Sequence, residues 1–98
     1  MNTSQQAALS IDTTMLEQMV YEAILSTGKR GAIGDELRHM LPGLAYSSVT
    51  ARFFNLVRTG RVYRPGYVRK GDSGRMQQVM WADKYRERIA KTLVWVRG

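Results

Sequence analysis

Apolar residues recur along this chain in two different periods, and the change between them divides it. Leu16, Met19, Val20, Ala23 and Ile24 stand at i, i+3, i+4, i+7 and i+8, the stripe that a helix turns toward a core. Thr14-Met15-Leu16-Glu17 has the form of a capping box, with the threonine hydroxyl on a first-turn amide and the glutamate reaching back. Gly28 after Thr27 closes this helix. A second, shorter helix opens at Asp35 and Glu36, where free amides favour anions. Leu37 and Leu41 share its inward face, and Pro42-Gly43 ends it. After Leu44-Ala45-Tyr46, Ser47 or Ser48 can cap a third helix that runs to Thr59-Gly60. Val49, Phe53, Leu56 and Val57 fall on one side of it, and Ser48, Thr50, Ala51, Asn55 and Arg58 on the other.

Beyond Gly60 the period shortens to two. Val62-Tyr63-Arg64, Tyr67-Val68-Arg69 and Gln77-Gln78-Val79-Met80-Trp81 are rich in β-branched and aromatic residues, and Lys70-Gly71-Asp72-Ser73-Gly74 between them is turn chemistry. These segments predict a β-hairpin with a basic tip, bent or left at a sheet edge by Pro65-Gly66. From Asp83, which can cap a further helix, Tyr85, Ile89, Leu93 and Val96 resume the helical stripe. Residues 1–12, polar and small, are expected to form a flexible arm, residues 13–82 the domain and residues 83–98 the C-terminal helix.

Ninety-eight residues suffice for one domain. The absence of cysteine excludes a disulfide scaffold and any thiolate metal site. No long apolar run spans a membrane, and the first residues lack the pattern of a signal peptide, so a cytoplasmic location is expected. Charge changes the picture more than composition does. Residues 1–51 carry a net −2 and residues 52–98 a net +9, within a total of +7. One basic face on a small domain attracts a polyanion.

The order is thus helix, helix, tight turn, helix, hairpin, helix. Ser47-Ser48-Val49-Thr50-Ala51-Arg52, followed by Leu56, by Gly60 four positions later and by Val62, resembles the recognition helix of winged helix-turn-helix regulators. Gly34-Asp35-Glu36-Leu37 resembles the start of their second helix, and the likeness covers about residues 14–82. Arg52 departs from the pattern, standing where many members have an apolar residue. The resemblance implies an α+β, mostly α fold: a three-helix winged-helix core, a β-hairpin wing and an extra C-terminal helix. It also implies a sequence-specific binder of double-stranded DNA, a transcriptional regulator of the short bacterial or phage type, with no cofactor and no catalysis. The expected contacts are Ser47, Ser48, Thr50, Arg52, Asn55 and Arg58 on the third helix, in the major groove. On the wing they are Arg64, Tyr67, Arg69, Lys70 and Arg75, against the phosphates.

Other chemistry is weak. Gly71-Asp72-Ser73-Gly74 spells the surroundings of a serine-protease nucleophile, but here it occupies a four-residue turn. His39 has no partner at metal-ligand spacing, Gly28-Lys29 lacks the earlier glycine of a phosphate loop, and adjacent Asp35 and Glu36 point apart. Two other uses of the same fold stay open. One is protein contact, suited to an exposed Phe54, and the other is structured RNA. The apolar run Leu93-Val94-Trp95-Val96 suggests a homodimer through the last helix, or a helix folded back on its own domain.

Overall fold

The computed structural model describes residues 12 to 97, with side chains to residue 92. Residues 1–11 of the expected arm, and the side chains of Leu93, Val94, Trp95 and Val96, lie outside that range. Helices α1 (Thr13–Ser26), α2 (Gly34–Met40) and α3 (Tyr46–Arg58) come first. Four short strands follow: β1 (Val62–Tyr63), β2 (Val68–Lys70), β3 (Met76–Gln78) and β4 (Trp81–Ala82). Helix α4 (Arg86–Arg97) comes last, and single 3-10 turns occupy Gly28–Arg30 and Asp83–Tyr85. The chain is a small α+β fold, mostly helical.

The helices sit where the apolar period puts them, but their caps differ. Asp12, not Thr14, caps α1: its carboxylate accepts the amides of Thr14 at 2.6 Å and Met15 at 3.1 Å. An ionised carboxylate takes two amides where a hydroxyl would take one. Glu17, thereby free of the cap, instead accepts a hydrogen bond from Asn55 on α3. Neither Ser47 nor Ser48 caps α3. Ala45, in extended conformation, precedes the helix, and its carbonyl accepts the amides of Ser48 and Val49. Both serines therefore ride inside the first turn. Asp83 likewise does not cap α4; it lies in the 3-10 turn and accepts from Arg86 Nε at 2.6 Å.

Strand residues alternate between two layers, as a period of two requires. Ala32, Val62 and Met80 turn toward Val20, Ile24, Leu37, Val49 and Leu56, the core that the first three helices enclose. Their neighbours Ile33, Val79 and Trp81 turn the other way, onto Ile89 of α4, with Tyr63 and Tyr85 at the edge. Helix α4 therefore folds back on its own domain through Ile89, on the far side of the strands from α3. Each fully buried aliphatic side chain contributes about 1.5–3 kcal/mol, so the inner layer dominates stability.

The hairpin is two ladders rather than one. Val62 and Tyr63 pair with Ala82 and Trp81; Val68, Arg69 and Lys70 pair with Gln78, Gln77 and Met76. Between them the first strand holds Arg64-Pro65-Gly66-Tyr67 against only Val79-Met80. Proline has no amide for the ladder. Met80 pairs instead with Ala32 on its other side, N–H to carbonyl in both directions at 2.8 Å. The segment ahead of α2 is thereby bound to the strands.

Candidate nucleic-acid interface

Helix α3 presents a solvent-facing ridge. Val49, Phe53 and Leu56 are buried, which leaves Ser47, Ala51, Phe54 and Arg58, spaced i, i+4, i+7, i+11, as the exposed line. Its N-terminal half is small, and Phe54, 69 % exposed, stands at its middle. Thr50 is half-buried beside the ridge and donates its hydroxyl to the Ser47 carbonyl at 3.2 Å. Ser48 and Arg52 are half-buried on the flank, and Arg52 Nε is enclosed with no hydrogen-bond partner among the described residues. Asn55 faces inward to α1: it donates to Glu17 and accepts from Arg58 at 2.5 Å. Among the third-helix residues singled out from sequence, Ser47 and Arg58 are the outward ones; Ala51 and Phe54 complete the ridge. The 100° step per residue sets Phe54 on the line through Ser47, Ala51 and Arg58, directly opposite the buried stripe.

The hairpin is not a free flap. Arg69 and Gln77, partners across β2 and β3, face α2, while Val68, Lys70, Met76 and Gln78 are exposed. Arg69 donates to Glu36 at 2.7 Å and to the carbonyls of Arg30 and Gly31 at 3.2 Å. Its guanidinium, expected on phosphate, is committed inside the protein. Glu36 also pairs with Arg30 at 2.6 Å and accepts the Ile33 amide at 3.2 Å. Asp35 is only 3 % exposed and accepts both the amide and the hydroxyl of Ser73 at 3.0 Å, while its own amide donates to Gln77 Oε1. His39 lies 2.7 Å from Asp72, a partner 33 residues away that no local pattern announces. Gly71 packs on the Asp35 carboxylate, where a Cβ would collide with it. The tip of the hairpin is therefore bolted to α2.

This arrangement sets the protonation of both acids. The Gln77 side chain first, then the Ser73 amide, holds Asp35 down at about 2, below its usual 3.8. For Glu36, partial burial pulls upward, but Arg69, the Ile33 amide and Arg30 together outweigh it and the pKa is lowered. Depressed values mean that the Asp35 contacts stabilise the fold above its ordinary 3.8 and lose that contribution as pH falls toward about 2, and that the Glu36 contacts do so above its ordinary 4.5 and lose theirs as pH falls through its lowered value. Melting temperatures recorded from pH 6 to 2 should therefore fall in the acid range, and Asp35→Asn should flatten part of that fall. An identical acid slope in the variant would show that the clamp does not form.

Between α3 and the hairpin lies a groove of about 430 Å³, with Tyr46 and Phe53 on one wall and Arg64, Arg75, Gln77 and Gln78 on the other. Arg38 stacks over the Tyr46 ring at 5.5 Å and extends the basic rim. Gly34 lies under the Tyr46 hydroxyl, so a side chain there would push the tyrosine out. Lys70 and Arg75 are exposed, Arg64 is half-buried in the groove, and Tyr67 is exposed with its ring 6.4 Å from Trp81. Ridge, groove and basic rim thus lie side by side.

No known protein family, curated protein or solved structure matches this chain. The site must be read from its own chemistry. Three arginines along one groove, beside a helix ridge with small residues at its front, can meet a polyanion's backbone while the ridge approaches closely. Ser73 Oγ donates to Asp35 and His39 is engaged with Asp72, so the Gly-Asp-Ser-Gly turn brings no histidine onto its serine. Among the described residues no cluster of three or more His, Cys, Asp or Glu could hold a metal ion, and no helix is long and apolar enough to cross a membrane.

Proposed function

We propose that this chain is a winged-helix domain that binds duplex DNA, a cytoplasmic, sequence-specific transcriptional regulator with α3 in the major groove. The element order supports the fold: helix, a short paired segment at Ala32, two helices, then a hairpin. The observation that carries the function is the α3 ridge with the Arg38–Arg64–Arg75 groove at its side. Ser47 and Ala51 admit the helix to the base edges, and one DNA strand follows the groove to Lys70 at the hairpin. Arg69 serves here as a positioning residue through Glu36. Residues 52–98, with their net +9, supply the field that draws the duplex in.

The test is selection of bound duplexes from a random pool, followed by a salt series on the winner. With about five phosphates neutralised, the log–log slope of affinity against salt should be near −4 to −5. Duplex RNA and single strands offered at equal phosphate concentration should compete poorly. A flat response between low and physiological ionic strength would sink the proposal.

A second reading rests on Phe54. A ring 69 % exposed at the centre of the ridge suits a protein partner, in which case Phe54→Ala would abolish capture of that partner and leave duplex affinity untouched. A homodimer through the C-terminal end of α4 also remains a proposal, since Ile89 already accounts for the first half of that helix. Light scattering of the full chain and of a truncation after Trp81 decides it.

A further inference from the structure

Helix α4 and the 3-10 turn ahead of it carry a second basic surface. Lys84, Arg88 and Lys91 line one shallow depression with Glu87 and Thr92, all exposed. Arg88 and Lys91, at i and i+3, share a side of α4 away from the buried Ile89, and Lys84, in the 3-10 turn ahead of the helix, borders the same depression. Among the described residues Arg88 pairs with no carboxylate, and Lys91 has only Glu87 at 3.6 Å, both ends so exposed that water screens the pair. Arg86, by contrast, is held by Asp83 and stacks over Tyr63 at 4.5 Å, so it belongs to the fold. Among the described residues, these cations meet only the exposed Glu87 and, at Lys84, the Tyr85 ring at 5.4 Å.

Its position gives it a meaning that charge alone lacks. Met80 and Ala32 face the helical core that includes α3, whereas Val79, Trp81 and Ile33 face Ile89 of α4. The strands therefore stand between α3 and α4. A duplex lying along the α3 ridge and groove cannot also run over the α4 stripe without passing around the domain. We propose that the α4 stripe is a second, sequence-independent contact for a duplex phosphate backbone, so that one molecule holds two separate DNA segments. It rests on the duplex-binding reading above and adds a second site to it. A helix side with lysine and arginine but no small hydroxyl-bearing front suits phosphate contact and not base reading.

A bead-capture experiment with the full chain tests it. One short duplex is fixed to beads, protein is added, and retention of a second, fluorescent duplex is measured. The wild type should retain the second duplex. Lys84→Ala/Arg88→Ala/Lys91→Ala, all changes of exposed side chains, with helix propensity kept at 88 and 91, should retain at least about tenfold less, because three phosphate contacts and their counterion release are gone. Affinity of the variant for one short duplex should stay within about twofold of wild type, and its mass by light scattering should be unchanged. A Lys84→Arg/Lys91→Arg variant should restore capture. If the wild type binds one duplex but never retains a second, the second site does not exist. Capture that survives the triple substitution overturns it as well, because two paired subunits would then be the bridge. An equal loss of single-duplex affinity would place α4 in the first interface, against the proposal. Absence of any duplex binding would instead remove the underlying function.

Discussion

Gly31→Ala is expected to lower the melting temperature by roughly 15 °C or more, from strain and overpacking that together reach about 3 kcal/mol. Gly31 has φ 75° and ψ 177°, a conformation nearly closed to residues with a Cβ. A methyl built there would lie 2.7 Å from both Trp81 Nε1 and Val79 Cγ1. Trp81 has little room to yield, because its Nε1 donates to the Lys29 carbonyl at 2.8 Å and its ring sits in the outer cluster with Ile89. Gly60→Ala is the matched control. Gly60 also has positive φ, at 79°, but nothing among the described residues lies within 4 Å of its would-be Cβ, so only backbone strain of about 1 kcal/mol applies. Thermal melts followed by far-UV circular dichroism and tryptophan fluorescence measure both. Equal losses in the two variants would show that the Trp81 contact is not tight.

Ala51→Glu is expected to reduce duplex affinity about 100-fold while moving the melting temperature little, because a like charge facing phosphate costs several kcal/mol. Ala51 is exposed at the middle of the α3 ridge, one turn from Ser47 and within a turn of Phe54. Glutamate keeps good helix propensity and touches no buried group. Ala51→Gln, of equal bulk, separates charge from shape and should lose far less on the preferred duplex. Asn55→Ala should behave oppositely. It removes the link between α1 and α3 and the hydrogen bond to Arg58, so stability should fall before affinity does. Anisotropy titrations paired with melts distinguish the two, and an Ala51→Glu protein with wild-type affinity would move the interface off α3.

Much of the fold is legible in the chain because local periodicity carries it. Val20, Ile24, Leu37, Val49 and Leu56 sit on their expected faces, since a helix leaves them no other common side. The hairpin tip at 70–74 is likewise dictated by turn residues, with Gly74 at φ 85°. The caps leave no such periodic signal. Whether Asp12 or Thr14 holds the first amides depends on where the chain enters α1, and Ala45 displaced the serines because its extended conformation starts α3 earlier.

The candidate site divides the same way. Sequence alone determined that a basic hairpin follows a helix with small residues at its front, because both are local patterns of residue type. Which cations stay available is a tertiary matter. Arg64, Lys70 and Arg75 border the groove or solvent, whereas Arg69, one residue from Lys70, is consumed by Glu36 and two carbonyls. Alternation along β2 turns neighbours to opposite faces, and only the docking of the hairpin on α2 decides which face is inside. Asp35 reaches Ser73, and His39 reaches Asp72, across more than thirty residues, by contacts that exist once the tip is folded against the helix. Long-range polar pairing leaves no periodic trace in a sequence, so those bonds, and the separation of α3 from α4 by the strands, belong to the three-dimensional structure alone.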